Sequence, residues 1–253
     1  MSVKTIVSLP KSIFALAKRF FCYLQKLTRF VSRWSRHLYM RLLSISNDNF
    51  VENHFRIWST PGHPNQHLFS LVLENLRGRG AIIVETGTSA WGTDSTRLWD
   101  LYVRQYGGSL TSVDICSAPS RRLRGQMSKQ TTLVISDSRK FLEMYSGPSP
   151  DFVYLDSFDA DPRDPFPSAL HGLAEFRAIY PKLKVGSMCL IDDTPRVIPD
   201  AELNRYPAQL DFRKLTGQNP GKGALVLRDL HQFPAVKVLA HDYALLLQVI
   251  KVS

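Results

Sequence analysis

The sequence predicts an α/β fold, in which about seven short strands form a mostly parallel sheet with helices on both faces. Three observations lead to this class. Short continuous apolar runs alternate with segments of helical periodicity, which is typical of a parallel sheet buried on both faces. The run at residues 81–84 leads through a loop rich in glycine and hydroxyl residues into a helical pattern. An acidic residue follows most of the apolar runs.

Helices are predicted where apolar residues recur at steps of three and four and a helix-ending signal follows. Leu68, Val72 and Leu76 share one face of such a segment, which ends before Gly78. By these criteria we expect helices at residues 66–76, 95–106, 139–145 and 167–180. Strands are expected at the short apolar runs: residues 81–84, 109–115, 133–135, 151–156, 187–191, 224–227 and 244–249.

Acidic residues follow the predicted strands at a regular place. In an open α/β sheet the carboxyl ends of the strands line the ligand crevice, so these side chains are expected to share one site. A single aspartate between a strand and a helix is often only an N-cap, and that alternative applies to Asp137 in particular. A whole row of caps explains the pattern less well. The acids in the row are Glu85, Asp114, Asp137, Asp156, Asp192 and Asp193.

The first acid of the row indicates the kind of ligand. Glu85 stands where a dinucleotide or phosphate site would present glycine and backbone N–H groups. A carboxylate at that place would repel a pyrophosphate. It would attract a cation, such as the amino group of S-adenosylmethionine.

The order of these motifs resembles a known family. Residues 85–89, Asp114, Asp137, the strand ending at Asp156 and residues 190–193 look like the ordered motifs of class I S-adenosylmethionine-dependent methyltransferases. The resemblance covers residues 66–250 and is greatest to small-molecule O-methyltransferases of the catechol O-methyltransferase kind. It implies a Rossmann-like sheet, S-adenosyl-L-methionine as cofactor, and methyl transfer to a hydroxyl of a small molecule. A glycan or glycolipid acceptor is a further hypothesis, and a lipid-linked glycan depends on membrane binding by the N-terminal helix.

The resemblance also implies roles for individual residues. Gly87 would approach the methionine part of the cofactor, and Glu85 would be the acid of that motif. Asp114 would accept both ribose hydroxyls, while Asp137 and Ser138 would meet the adenine edge. The remaining cofactor-binding candidates are Thr88, Ser89 and Gly92, although the spacing of Gly87 and Gly92 is longer than in the family.

In the metal-dependent branch of that family, the acids that end the fourth and fifth strands hold a divalent ion. Asp156, Asp192 and Asp193 fill those places and suit a hard cation such as Mg²⁺. The ion would make an acceptor hydroxyl nucleophilic, and Asp156 or His171 would assist its deprotonation. Two alternatives stay open: His171 as a polar residue on a helix surface, and Asp193 as a residue that only orients Thr194.

The net charge of +10 belongs to the N-terminus. Residues 1–45 contain nine Lys or Arg and no Asp or Glu, so 23 of the 32 basic residues remain against 22 acidic ones. A nearly neutral body does not indicate a nucleic-acid partner. Residues 11–42 have the pattern of a basic amphipathic helix, which would pack on its own domain, form a dimer, or lie on an anionic membrane face. An RNA-binding arm is disfavoured by the density of Phe and Trp.

We therefore expect three parts: a helical extension at residues 1–45, a linker or lid at 46–65, and a methyltransferase domain at 66–253. If the polar lid folds over the site, it would bring His63 and His67 there. Three dispersed cysteines and the absence of a run of about 18 apolar residues indicate a cytoplasmic protein, peripheral on the cytoplasmic membrane face if the extension binds lipid.

Other function classes fit less well. A nicotinamide dehydrogenase would carry G-x-G-x-x-G, and a P-loop NTPase would carry Gly-Lys-Ser/Thr, which the turn around Lys222 lacks. That lysine is interpreted either as a substrate contact or as a solvated loop residue. A nucleic-acid N-methyltransferase would typically carry an Asp/Asn-Pro-Pro-aromatic tetrad where residues 156–159 stand. A non-enzymatic, membrane-associated scaffold or cofactor-binding protein with the same fold remains the alternative.

Overall fold

The computed structural model describes residues 50–59, 62–89 and 92–251, and those from His54 onward belong to one compact unit. The predicted N-terminal helix lies outside the described residues. The strands are β1 (Ala81–Thr86), β2 (Gly108–Asp114), β3 (Thr131–Ile135), β4 (Phe152–Leu155), β5 (Met188–Ile191), β6 (Val236–His241) and β7 (Leu245–Val249). The helices are α1 (Phe50–Trp58), α2 (Asn65–Leu76), α3 (Ser95–Tyr106), α4 (Ser117–Leu123), α5 (Ser138–Met144), α6 (Phe166–Ile179), α7 (Asp200–Arg205), α8 (Pro207–Thr216) and α9 (Ala224–Arg228).

The seven strands form a single sheet in the order β3-β2-β1-β4-β5-β7-β6. Strands β1 to β5 are parallel, whereas β7 runs antiparallel to both β5 and β6. The chain reverses its direction of travel between β3 and β4, so β1 and β4 are neighbours at the switch point. Because parallel crossovers are right-handed, this reversal places helices on both faces and opens a crevice at the carboxyl ends of β1 and β4.

The middle of the sheet is buried on both faces. Every residue of β4 and β5 is buried, which explains why these strands are continuous apolar runs without alternation. An aromatic cluster packs there: the Phe69 ring of α2 lies 4.8 Å from the Trp99 ring of α3 and 5.4 Å from Tyr154 of β4. The core therefore holds the carboxyl ends of β1, β4 and β5 in a rigid setting.

Two sequence predictions were wrong at the C-terminal end. Residues 224–227 form helix α9 and not a strand, because a short buried apolar run has no periodicity that separates the two structures. The seventh strand is instead β6, which the sequence analysis missed. It is an edge strand whose residues Lys237 and Val238 are exposed, so its apolar signal is weak.

Part of the predicted linker or lid is helical. Helix α1 covers residues 50–58 with one face more apolar than the other, and α2 begins at Asn65. Helices α4, α7 and α8 were also not predicted; all three are short, at seven, six and ten residues. None of the helices among the described residues is long and apolar enough to cross a membrane.

Candidate functional site

The first acid of the row is turned into the protein. Glu85 is fully buried, and its two carboxylate oxygens accept hydrogen bonds from hydroxyls of the first turn of α3 and of β2. The donors are Ser95 at 2.6 Å, Thr96 at 2.5 Å and Ser112 at 2.5 Å. The carboxylate thus ties β1, β2 and α3 together beneath the first loop, and it does not line a described cavity.

Burial raises the pKa of Glu85 from 4.5 to about 7, against the lowering effect of its hydroxyl donors. Between these two values the folded state binds more protons than the unfolded chain, so this contribution to stability is lost as the pH rises. We therefore compare the free energies of unfolding of the wild type and Glu85→Gln. The difference, wild type minus variant, is expected to fall by about 3 kcal/mol as the pH rises from roughly 4.5 to 8. Urea titrations at several pH values measure it. The exposed Glu143→Gln is the control, and parallel pH profiles for wild type and Glu85→Gln would contradict the assignment.

The first loop is shaped by its glycine. Gly87 has φ +87°, and a Cβ there would lie 2.1 Å from the backbone oxygen of Asp156. Its N–H donates to the backbone oxygen of Val113 at 2.8 Å, so the loop is held between β2 and the end of β4. The predicted close approach at Gly87 is therefore an approach to the protein's own backbone as well as to the cavity that this residue lines.

The rest of the predicted loop faces inward. Thr88 and Ser89 are buried; the Thr88 hydroxyl lies 2.9 Å from that of Ser112, and the Ser89 hydroxyl accepts from Arg122 at 2.7 Å. Gly92 has φ +91° and faces His63. None of these three residues is among those that line the cavity described below.

Asp114 is presented to the cavity by two backbone donors. One carboxylate oxygen accepts from the Thr88 N–H at 3.1 Å, and the other accepts from the Cys116 N–H at 2.7 Å. Each oxygen keeps a second acceptor position, because a carboxylate oxygen has two lone pairs. The carboxylate is therefore oriented and still able to accept two more hydrogen bonds side by side.

The third strand end holds a cap and a small hydroxyl network. Asp137 is the N-cap of α5 and accepts from the Lys140 N–H at 3.0 Å, as the cap alternative predicted. Ser138 lies 3.1 Å from Nε2 of His171, and the Ser157 hydroxyl lies 2.9 Å from the same nitrogen. Neither Asp137, Ser138 nor His171 is among the residues that line the cavity described below. His171 is bonded within this network, and its catalytic role stays a prediction.

The acids of the fourth and fifth strand ends do meet. One oxygen each of Asp156, Asp192 and Asp193 lies within 4.8 Å of the others, as expected from the neighbouring strands β4 and β5. Asp193 has φ +42°, a left-handed conformation that is unusual for a residue other than glycine. We call this group the carboxylate cluster.

Neutral donors hold two members of the carboxylate cluster. Asp192 accepts from the Asn65 amide and from the Tyr154 hydroxyl, both at 2.7 Å. Asp193 accepts from the Tyr243 hydroxyl at 2.6 Å. The cluster is thus fixed by residues of α2, β4 and the turn before β7, which the sequence motifs did not identify.

Lys222 reaches the same cluster, and sequence analysis did not predict this. Its ammonium bonds to Asp156 and lies 3.0 Å from Asp193, and its side chain is only 4% exposed. Burial alone would lower the pKa of Lys222, but the carboxylates raise it. Burial and the neighbouring Asp192 raise the pKa of Asp156, whereas Lys222 and Tyr243 outweigh burial and lower that of Asp193. The sequence feature that could have drawn attention to this position is the glycine on each side of Lys222.

These groups surround one cavity of about 530 Å³. Asp114 and Gly87 lie toward β2 and β1, and the carboxylate cluster lies toward β4 and β5. His63 lines it too, as the lid hypothesis predicted, and burial lowers its pKa. His67 is exposed and is not part of the lining. The full lining is His63, Gly87, Asp114, Ile115, Cys116, Pro119, Asp156, Ser157, Asp159, Asp192, Asp193 and Tyr243.

A second cavity of about 390 Å³ shares a wall with the first. Asp193 and Tyr243 line both cavities. Prolines of the segments that follow β4 and β5 build much of the second cavity. Its proline residues are Pro162, Pro165, Pro195 and Pro220.

Comparison with solved structures identifies the fold. No family model and no curated protein matches the sequence. Two solved structures of MycE methyltransferase from the mycinamycin biosynthetic pathway, one with Mg and SAH and one with Mg, SAH and mycinamycin VI, each align with a TM-score of 0.58 over 82% of this chain. Identities are 15% and 14%, and the chain spans 56% of the MycE chain. The likeness confirms the expected methyltransferase fold and carries no more than that.

Proposed function

We propose that the chain is an S-adenosylmethionine-dependent methyltransferase that acts on a hydroxyl group. The observation that carries the proposal is the arrangement of one cavity, with an oriented, partly free Asp114 carboxylate and the Gly87 loop at one side and the carboxylate cluster at the other. A cofactor that lies across the switch point would present its methyl group toward the end of β4.

Asp114 supports the cofactor half of the proposal. Vicinal ribose hydroxyls need two acceptors at fixed spacing, and the two carboxylate oxygens, each already oriented by one backbone N–H, supply them. The MycE structures of the same fold hold SAH, the demethylated form of this cofactor. Gly87 lines the cavity without a side chain, so a cofactor can approach the loop backbone closely at this residue.

The second cavity supports the acceptor half. It opens beside Asp193 and Tyr243, so an acceptor bound there would direct a hydroxyl at the carboxylate cluster. Its wall combines prolines and Val197 with the polar side chain of Gln209, a mixture that suits a hydroxylated molecule with apolar faces. Rate enhancement would come mainly from holding the acceptor oxygen and the methyl group in line.

The carboxylate cluster fits a divalent ion by its chemistry. Three carboxylates that converge within 4.8 Å are a hard-oxygen donor set, and Asp156, Asp192 and Asp193 would hold the ion. When bound, such an ion lowers the pKa of a coordinated hydroxyl. His63 lines the same cavity, but its Nδ1 accepts from the Asn65 N–H at 3.2 Å, so the neutral ring carries its proton on Nε2 and has no free lone pair for a general base.

Calorimetric titration with S-adenosylmethionine tests the proposal. Asp114→Ala is expected to weaken binding by about tenfold to hundredfold, because two hydrogen bonds to a charged acceptor are lost. Asp211→Ala, a substitution at an exposed aspartate of α8, is the control and is expected to bind as the wild type does.

A radiolabelled methyl-transfer screen with hydroxylated small molecules and glycans then tests the acceptor class. Failure of the wild type to bind the cofactor would overturn the proposal and favour a non-enzymatic protein with this fold. Cofactor binding together with methylation of amines but not hydroxyls would overturn only the acceptor class.

A further inference from the structure

We propose that Lys222 is a built-in cation of the carboxylate cluster and competes with a divalent metal ion for Asp156 and Asp193. On this basis Lys222 is a positioning residue: it holds the two carboxylates in place and weakens metal binding in the wild-type protein. The inference depends on the geometry of the cluster and not on methyl transfer, so the two can hold or fail separately.

The contacts of the ammonium group are the first argument. It bonds to Oδ1 of Asp156 and lies 3.0 Å from Oδ2 of Asp193. A divalent ion shared by the cluster would use oxygens of the same two residues. In the described part of the chain Asp192 has no hydrogen bond or ion pair with Lys222, and neutral donors of Asn65 and Tyr154 hold it instead. Lys222 therefore acts on the two carboxylates that a metal would have to share.

The backbone around Lys222 is the second argument. Its N–H donates to the Asp193 carbonyl at 3.0 Å, and a Cβ at Gly221 would lie 2.4 Å from that same carbonyl oxygen. On the opposite side, a Cβ at Gly172 of α6 would lie 2.2 Å from the Lys222 carbonyl oxygen. The turn is thus packed closely between the end of β5 and α6. This packing directs the lysine side chain into the carboxylate cluster and not into solvent.

Charge is the third argument. An ammonium and a divalent ion on shared carboxylates repel each other, and both are poorly screened because the Lys222 and Asp156 side chains are 4% and 8% exposed. The ammonium also reduces the negative charge of the cluster, and ligand charge sets much of the affinity for a hard cation. Metal binding to the wild type would therefore have to displace Lys222 or overcome its repulsion.

Mn²⁺ binding to the full chain tests the proposal, measured from the electron paramagnetic resonance signal of free Mn²⁺. We expect Lys222→Met to bind Mn²⁺ roughly tenfold more tightly than the wild type, or better, since the competing charge is removed while an unbranched side chain remains. Lys184→Met is the matched control. Lys184 forms an ion pair of 2.7 Å with Asp151, which is not a member of the carboxylate cluster, so its replacement is expected to leave the Mn²⁺ affinity unchanged.

A double variant tests whether the increase in Mn²⁺ affinity arises at the carboxylate cluster. Adding Asp156→Asn to Lys222→Met is expected to abolish the tighter binding, because it removes one carboxylate of the cluster. A loss of packing alone would not raise metal affinity, so the gain separates competition from a merely structural role. Equal or weaker Mn²⁺ binding by a folded Lys222→Met would overturn the proposal.

If Lys222→Met does not fold, Lys222→Gln replaces it, since its amide keeps a donor for a carboxylate. Lys222→Gln also removes the competing charge and is likewise expected to bind Mn²⁺ more tightly than the wild type. Equal or weaker binding by a folded Lys222→Gln would overturn the proposal. S-adenosylmethionine titration of the same samples reports separately on the proposed function.

Discussion

Replacing Gly87 by alanine is expected to destabilise the protein by about 5 kcal/mol, the largest effect of any single substitution considered for the site. Two costs combine. The residue has φ +87°, which strains any side chain, and the added Cβ would lie 2.1 Å from the Asp156 backbone oxygen. Relief would require β1 and β4 to separate at their carboxyl ends, where the cavity begins.

Thermal and urea unfolding measure the effect, and the midpoint of thermal unfolding is expected to fall by roughly 10 to 20 °C. Gly125→Ala is the matched control, because Gly125 has φ +77° with nothing within 4 Å of the added Cβ. It isolates the backbone strain, which is about 1 kcal/mol. Equal losses for the two variants would contradict the close approach between Gly87 and Asp156.

Gly172→Ala is expected to cost about 4 kcal/mol, although alanine is the better helix former. Gly172 lies inside α6 with ordinary helical geometry, so propensity alone would stabilise the variant by up to about 1 kcal/mol. The added Cβ would instead lie 2.2 Å from the Lys222 carbonyl oxygen and push α6 away from the turn. The sign of the effect therefore distinguishes close packing from propensity.

Urea unfolding gives the free energy, and Ala174→Gly in the same helix calibrates the propensity contribution. Because the displaced turn carries Lys222, the Gly172→Ala protein that remains folded is also expected to lose the fixed spacing of Asp156 and Asp193. A variant at least as stable as the wild type would show that α6 and the turn are not packed as described.

The two glycines bear on the proposed chemistry as well as on stability. Gly87 couples the proposed cofactor side of the cavity to Asp156, and Gly172 couples α6 to Lys222. Both couplings converge on the Asp156–Lys222 pair. An in-line transfer tolerates little displacement of the reacting groups, so rigidity at this pair is what the proposed reaction would need.

Most of the frame of the site was predictable from the sequence. The strand-ending acids Asp114, Asp156, Asp192 and Asp193 line one cavity, as expected when parallel strands end at the same edge of a sheet. Apolar runs and helix-ending glycines are local signals, so α2, α3 and α6 and the first five strands were predicted to within a few residues. The acids could be placed because topology alone brings strand ends together.

The roles within that frame depended on tertiary contacts. Glu85 and Asp137 have the same local pattern as Asp114, yet one is buried under three hydroxyls and the other caps α5. No local signal separates these outcomes, because each depends on which donors the neighbouring elements bring to the carboxylate. The same holds for α9 and β6, whose short apolar runs are assigned only by the partners against which they pack.

Lys222 shows most clearly which part of the site could not be predicted from the sequence. It lies 66 residues beyond Asp156 in the chain, and its local sequence describes only a glycine-rich turn. The sequence alone determined a methyltransferase-type α/β sheet with a row of acids at its carboxyl edge. Only the tertiary structure decided that a lysine neutralises part of that row, because a buried ion pair forms between residues brought together by packing and not by any periodicity along the chain.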